Sequence, residues 1–218
     1  MVSIYTCREM EFYREIEPKG PQVSKILLVL LIELGFFLGG VTIINFYAPL
    51  WVIYGNLDNR GTFLSLVHTY YCDMDYKYCE FKNAFSSAEF CKSGFSDCTN
   101  SISILYTGSQ VMLIFGYTSA CLLFLGSILL IVAYCKKGIY LRFVQFLYLL
   151  PGAFYSLGMI VFFSAFGESR KYMNAAEYNF ELRSSSIFSI FLVISMFAYG
   201  AVIILSMNKL FTGKVNLK

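Results

Sequence analysis

The sequence predicts a mainly α membrane protein: a four-helix transmembrane bundle carrying a small extracellular antiparallel β-sheet. Three observations predict it. Four apolar runs are each long enough to cross roughly 30 Å of hydrocarbon as helices. Only 14% of the 218 residues are charged, while 57% are hydrophobic and 18% aromatic; a soluble domain carries about 25% charged residues. The long stretch between the first two runs, residues 48–108, is rich in aromatics and holds Cys72, Cys79, Cys91 and Cys98.

Residues 1–25 mix Arg8, Arg14, Lys19 and Lys25 with Glu9, Glu11, Glu15 and Glu17. That is not the pattern of a cleaved secretory signal, so span 1 (26–47) is expected to act as its own insertion signal. Spans 2, 3 and 4 are expected at 109–134, 140–166 and 186–207. Backbone groups in lipid have no water to bond, so each span must be helical. The third run would be about 40 Å long at 1.5 Å per residue. It is expected to tilt, to bend at Pro151, or to project beyond the bilayer.

Basic residues near span ends set orientation. Residues 1–25, the turn at 135–139 with Arg142, and the tail at 208–218 together carry ten Lys and Arg. The two other loops, 48–108 and 167–185, carry seven over a longer stretch. Both termini are expected in the cytoplasm, with a multi-pass chain in the plasma membrane and the bilayer as its first partner.

The long loop contains Tyr54, Phe63, Leu64, Leu66, Val67, Tyr70, Tyr71, Tyr78 and Phe81, a content that disordered segments lack. Trp51–Tyr54, Phe63–Tyr71 and Lys77–Phe81 have strand-like composition. Gly55-Asn56, Asp58-Asn59 and Gly61 supply turn chemistry between the first two. A sheet this small needs staples. The four loop cysteines form two pairs with equal spacing, and in an oxidising exterior they are expected as disulfides. Three connectivities are open; the preferred one joins Cys72 to Cys79 across a hairpin and Cys91 to Cys98 around a second turn. Zinc is the competing reading, but the spacing is wide and His68 is the only histidine.

Cys135 precedes Lys136-Lys137 at the end of span 2, a candidate lipidation position whose alternative is a plain thiol. Glu33 lies inside span 1, where ionisable residues often mark function. Its candidate partners are Gln145 and Arg142 at the same end of span 3, which would lock spans 1 and 3 together. A partner protein's helix and an ion pathway are the alternatives. Gly35-x-x-x-Gly39, Gly116-x-x-x-Ala120 and Gly152-x-x-x-Ser156 are small-residue faces for close helix packing. Asp73, Asp75 and Glu80 form an acidic patch, read as a solvated face or a cation-binding surface. No catalytic triad, redox pair, phosphate loop or metal cluster can be assembled. No enzymatic activity, cofactor or nucleic-acid partner is expected.

The layout resembles the superfamily of claudins, peripheral myelin proteins and calcium-channel gamma subunits. Pro49-Leu50-Trp51 resembles the family's Pro-x-Trp entry to its first strand. Cys72 and Cys79 resemble its loop-one disulfide. Gly152 to Ala165 resembles span 3 of the gamma subunits, and Cys135-Lys-Lys the juxtamembrane cysteine that claudins palmitoylate. The resemblance implies a four-helix bundle carrying an extracellular sheet. Five departures mark a divergent member, one being that no arginine opens span 2, where claudins usually have one. The Gly-Leu-Trp before the first cysteine is missing. The gap between the cysteines is short, and a second pair is added. Val215-Asn216-Leu217-Lys218 lacks the apolar end that a PDZ groove takes. Tetraspanins place their cysteines in the second exterior loop and gap-junction proteins in both; here the second has none.

The function expected is claudin-like cell–cell contact or barrier formation, with this chain or another four-span protein as partner in cis or trans. Trp51, Phe63, Phe81, Tyr172 and the acidic patch are its candidate contacts. The alternative is an auxiliary subunit of a channel or receptor, using spans 3 and 4 and Glu33. A transporter or pore is a third reading, resting on Glu33 and the acidic patch alone.

Overall fold

A computed structural model describes residues 25–48, 51–55, 60–67, 69–73, 79–82, 96–136, 145–175 and 179–212. Among the described residues, four helices and five strands follow in the order α1 (Lys25–Tyr47), β1 (Val52–Gly55), β2 (Arg60–Leu64), β3 (Thr69–Asp73), β4 (Cys79–Lys82), α2 (Ser96–Lys136), a 3-10 turn (Gln145–Tyr148), α3 (Leu150–Ala175), β5 (Asn179–Leu182) and α4 (Ser184–Thr212). All four helices are long and apolar enough to cross a membrane.

Span 1 falls where the sequence places it. α2 and α4 run longer than their expected spans, and α3 is shifted toward the C-terminus. α2 begins 13 residues before the expected start of span 2. α3 continues past 166 to Ala175, which puts Tyr172 in a helix instead of a loop. Pro151 does not bend span 3. It sits in the first turn of α3, after the 3-10 turn has interrupted the run, where its missing N–H costs no helical hydrogen bond.

α1 packs between α2 and α4, and α3 packs between the same two helices on the other side. The contacts show a stagger along α2. Phe46 fills the space beside Gly116, and Phe124 that beside Gly39, so α1 runs antiparallel along the C-terminal half of α2. α3 runs along the N-terminal half. Ser119 Oγ donates to the Pro151 carbonyl at 2.7 Å, Met112 meets Gly158 and Ala165 meets Gly108. At the far end Ser101 and Ser169 exchange hydroxyl-to-carbonyl hydrogen bonds of 2.9 and 2.8 Å.

Residues 96–114 of α2, about 28 Å of helix, therefore extend past the end of α1 with the second half of α3. This explains an apolar stretch, Asn100–Val132, that is too long for a bilayer roughly 30 Å thick. Its first part buries Ser101, Ile102, Leu105, Ser109 and Met112 inside the protein.

The strands form one antiparallel sheet in the order β4-β3-β2-β1-β5. The expected strand over 63–71 is two strands. Ser65 Oγ accepts from the Val67 amide at 3.1 Å, a local turn of the kind serine favours, and fully buried Leu66 plugs into the core. β5 comes from the second loop and pairs with β1, Ile53 opposite Glu181.

Candidate functional site

The sheet sits on the bundle where α1 ends. The last carbonyls of a helix have no helical partner, and here the sheet supplies two. The Trp51 indole N–H donates to the Asn45 carbonyl at 2.6 Å. The Leu66 amide donates to the Phe46 carbonyl at 3.2 Å. The Arg183 amide donates to the Trp51 carbonyl at 3.1 Å, which ties in the start of α4. Trp51 is fully buried and packs edge-on against Phe162, with ring centroids 5.2 Å apart. It therefore cannot be a partner contact. It is the keystone of the seat.

Beneath it lies a buried polar cluster joining three helices. Asn45 Nδ2 donates to Ser189 Oγ at 2.8 Å and to the Ser185 carbonyl at 3.3 Å. The Tyr155 hydroxyl donates to Ser189 Oγ at 3.1 Å, and Ser189 donates to the Ser185 carbonyl at 3.0 Å. Ser189 thus uses its donor and both lone pairs. The Phe46 and Tyr155 rings stack above at 6.2 Å. The sequence reading missed Asn45, Tyr155, Ser185 and Ser189. A polar residue inside each apolar run was the available signal, since such groups are retained in a membrane when they bond one another.

The strand register divides the sheet into two faces, because opposite residues share a face and successive residues alternate. Val52 is buried and Leu182 packs on the core, so their face looks toward the bundle. Leu64, Thr69 and Lys82 occupy the same cross-strand row as Val52 and Leu182. The other face carries the row Glu181, Ile53, Phe63, Tyr70, Phe81. Glu181 on it is exposed. Phe63 and Phe81, candidates far apart in sequence, are brought into one row by Tyr70 between them.

Cys72 and Cys79 are direct register partners on this second face. Opposed antiparallel residues have Cα atoms about 4.5–5.5 Å apart, within the span a disulfide requires. Cys98 lies in the first turn of α2, and Cys91 lies outside the described residues. The acidic patch is divided. Asp73 pairs in register with Arg60, and Glu80 neighbours Lys82 along β4; both acids take positions on the face opposite Phe63 and Phe81. Asp75 and Pro49 lie outside the described residues.

α1 and α3 are diagonal, and Glu33 is exposed on the outer surface of α1 with no ion pair or hydrogen bond among the described residues. Gln145 falls in the 3-10 turn, and Arg142 outside the described residues. Cys135 is in the last turn of α2. Of the small-residue faces, Gly35 admits the hydroxyls of Ser127 and Tyr199, and Gly152 lies against the Phe197 ring, so both serve packing inside the bundle. The chain matches no protein-family model and no curated protein.

Proposed function

We propose that this is a claudin-like, four-span protein of the plasma membrane, with both termini cytoplasmic and the sheet outside, acting in cell–cell contact or barrier formation. The observation that carries the reading is the register row Ile53, Phe63, Tyr70 and Phe81, which alternates along the strands with the row of buried Val52. Apolar residues gathered on an outward face mark interaction sites more often than chance. A sheet seated rigidly on helix ends can present such a row to a neighbour. The excess of basic residues at the opposite end of the spans supports the orientation, and the Cys72–Cys79 register supports a disulfide holding the edge hairpin.

A mixed-culture contact assay tests it. Tagged protein expressed in non-adherent cells should concentrate at contacts only where both cells express it. Uniform distribution of well-delivered protein would count against the contact reading.

The second reading, an auxiliary subunit of a channel or receptor, is favoured by one observation: Glu33 faces away from its own bundle. A carboxyl group at that depth finds no partner in lipid.

A further inference from the structure

The outer face of α1 carries two residues that the chain's own packing leaves unexplained. Glu33 is exposed, about 12 Å along the helix from Lys25. Gly40 lies seven residues further, on the same stripe. A side chain added at Gly40 would meet nothing within 4 Å, whereas Gly35 and Gly39 are held small by Ser127, Tyr199 and Phe124. Leu30, Phe37 and Ile44 complete the stripe and are exposed at 55%, 64% and 69%. Residues at these spacings stack along one helix face. The stripe is therefore apolar and continuous, with a carboxyl group at one level and a gap of glycine size about two turns above it.

Small residues on a membrane helix let another backbone approach closely, and an intramembrane carboxyl calls for a donor opposite. At the depth of Glu33 the exposed residues described on the neighbouring helices include Ile128 and Val132 of α2 and Ala201, Val202 and Leu205 of α4. None of them can bond a carboxyl group. We infer that the α1 stripe is the docking face for a transmembrane helix of a different membrane protein, one carrying a Lys or Arg at the depth of Glu33 and lying close to the backbone at Gly40. The inference rests on the second reading above and is independent of the sheet-face contact.

The test uses the full chain and three single-span probe helices of leucine and alanine. One has Lys level with Glu33, one has the Lys two turns displaced, and one has none. Association in cell membranes is read by energy transfer. The matched probe should bind best. Glu33→Leu and Gly40→Leu should each weaken it about tenfold, the order one interhelical polar or packing contact supplies. Glu33→Gln, which keeps the shape, checks that surface delivery is normal. Equal binding of the matched and leucine-alanine probes, with loss in Gly40→Leu, would overturn the charge pairing and keep a docking face. No binding by any probe would overturn both. Cross-linking of Leu34→Cys into a dimer of this chain would show that a second copy covers the face, and would also overturn the inference.

Discussion

The Trp51 indole N–H donates to the Asn45 carbonyl at 2.6 Å, so the fourth residue after α1 closes the end of the helix that leads to it. Trp51→Phe keeps most of the ring burial and removes the donor. It should cost about 1–3 kcal/mol, the penalty for an unpaired buried acceptor. Trp51→Ala should cost more, about 3–5 kcal/mol. Thermal unfolding in detergent, followed by a tag on each side of the sheet, checks both.

Asn45 and Tyr155 meet through Ser189 and should act as a unit. Asn45→Ala and Tyr155→Phe should each destabilise by about 1–2 kcal/mol, and the double variant by less than their sum. Coupling above about 0.5 kcal/mol in the double-mutant cycle is the expected sign of direct contact. Strict additivity would argue against the shared serine.

The seat shows where sequence reasoning reaches and where it stops. The four spans were legible because lipid demands long apolar runs, and α1 falls where hydropathy alone places it. The start of α2 was not, because Ser101 and Thr107 fall in the stretch 48–108, which reads as a loop. Ser101 in fact bonds across to Ser169, and Ser109 to the Leu105 carbonyl one turn back. Pro151 looked like a bend because the pattern does not show that the helix begins only at Leu150. β5 is four residues long and earns its place only by pairing with β1, a nonlocal contact with no local signature. That Cys72 and Cys79 stand opposite each other was legible because a hairpin brings near neighbours into register. The burial of Trp51 was not, since Phe162 of α3 and Arg183 just before α4 come to it from far along the chain.

Gly108 and Gly40 predict opposite responses to one methyl group. A Cβ at Gly108 collides with that of Ala165, so Gly108→Ala should cost about 1–3 kcal/mol through overpacking. Ala165→Gly in the same chain should recover part of it. Gly40→Ala meets nothing and should leave stability unchanged or raise it by up to about 1 kcal/mol. Unfolding midpoints of the four proteins decide the matter.

Cys72 and Cys79 stand opposite each other across β3 and β4. If they are bonded, Cys72→Ser, Cys79→Ser and the double variant should lose the same stability, about 2–4 kcal/mol. A reducing agent should bring the parent protein to the same level at this bond. Peptide mapping under non-reducing conditions should recover the two cysteines together. Recovery of either with Cys91 or Cys98 would contradict the pairing.

The most direct test of the contact reading changes the sheet face without touching its seat. Phe63→Asp with Phe81→Asp alters two positions of the outward row, while Asp73→Asn alters the opposite face. Each protein is expressed on both sides of cell–cell contacts, and its density there is divided by its density elsewhere on the same membrane. Enrichment of the parent and of Asp73→Asn, with loss in the Phe63 and Phe81 variant at equal surface amount, is the predicted result. Equal enrichment of all three proteins, or none for the parent, would contradict the account.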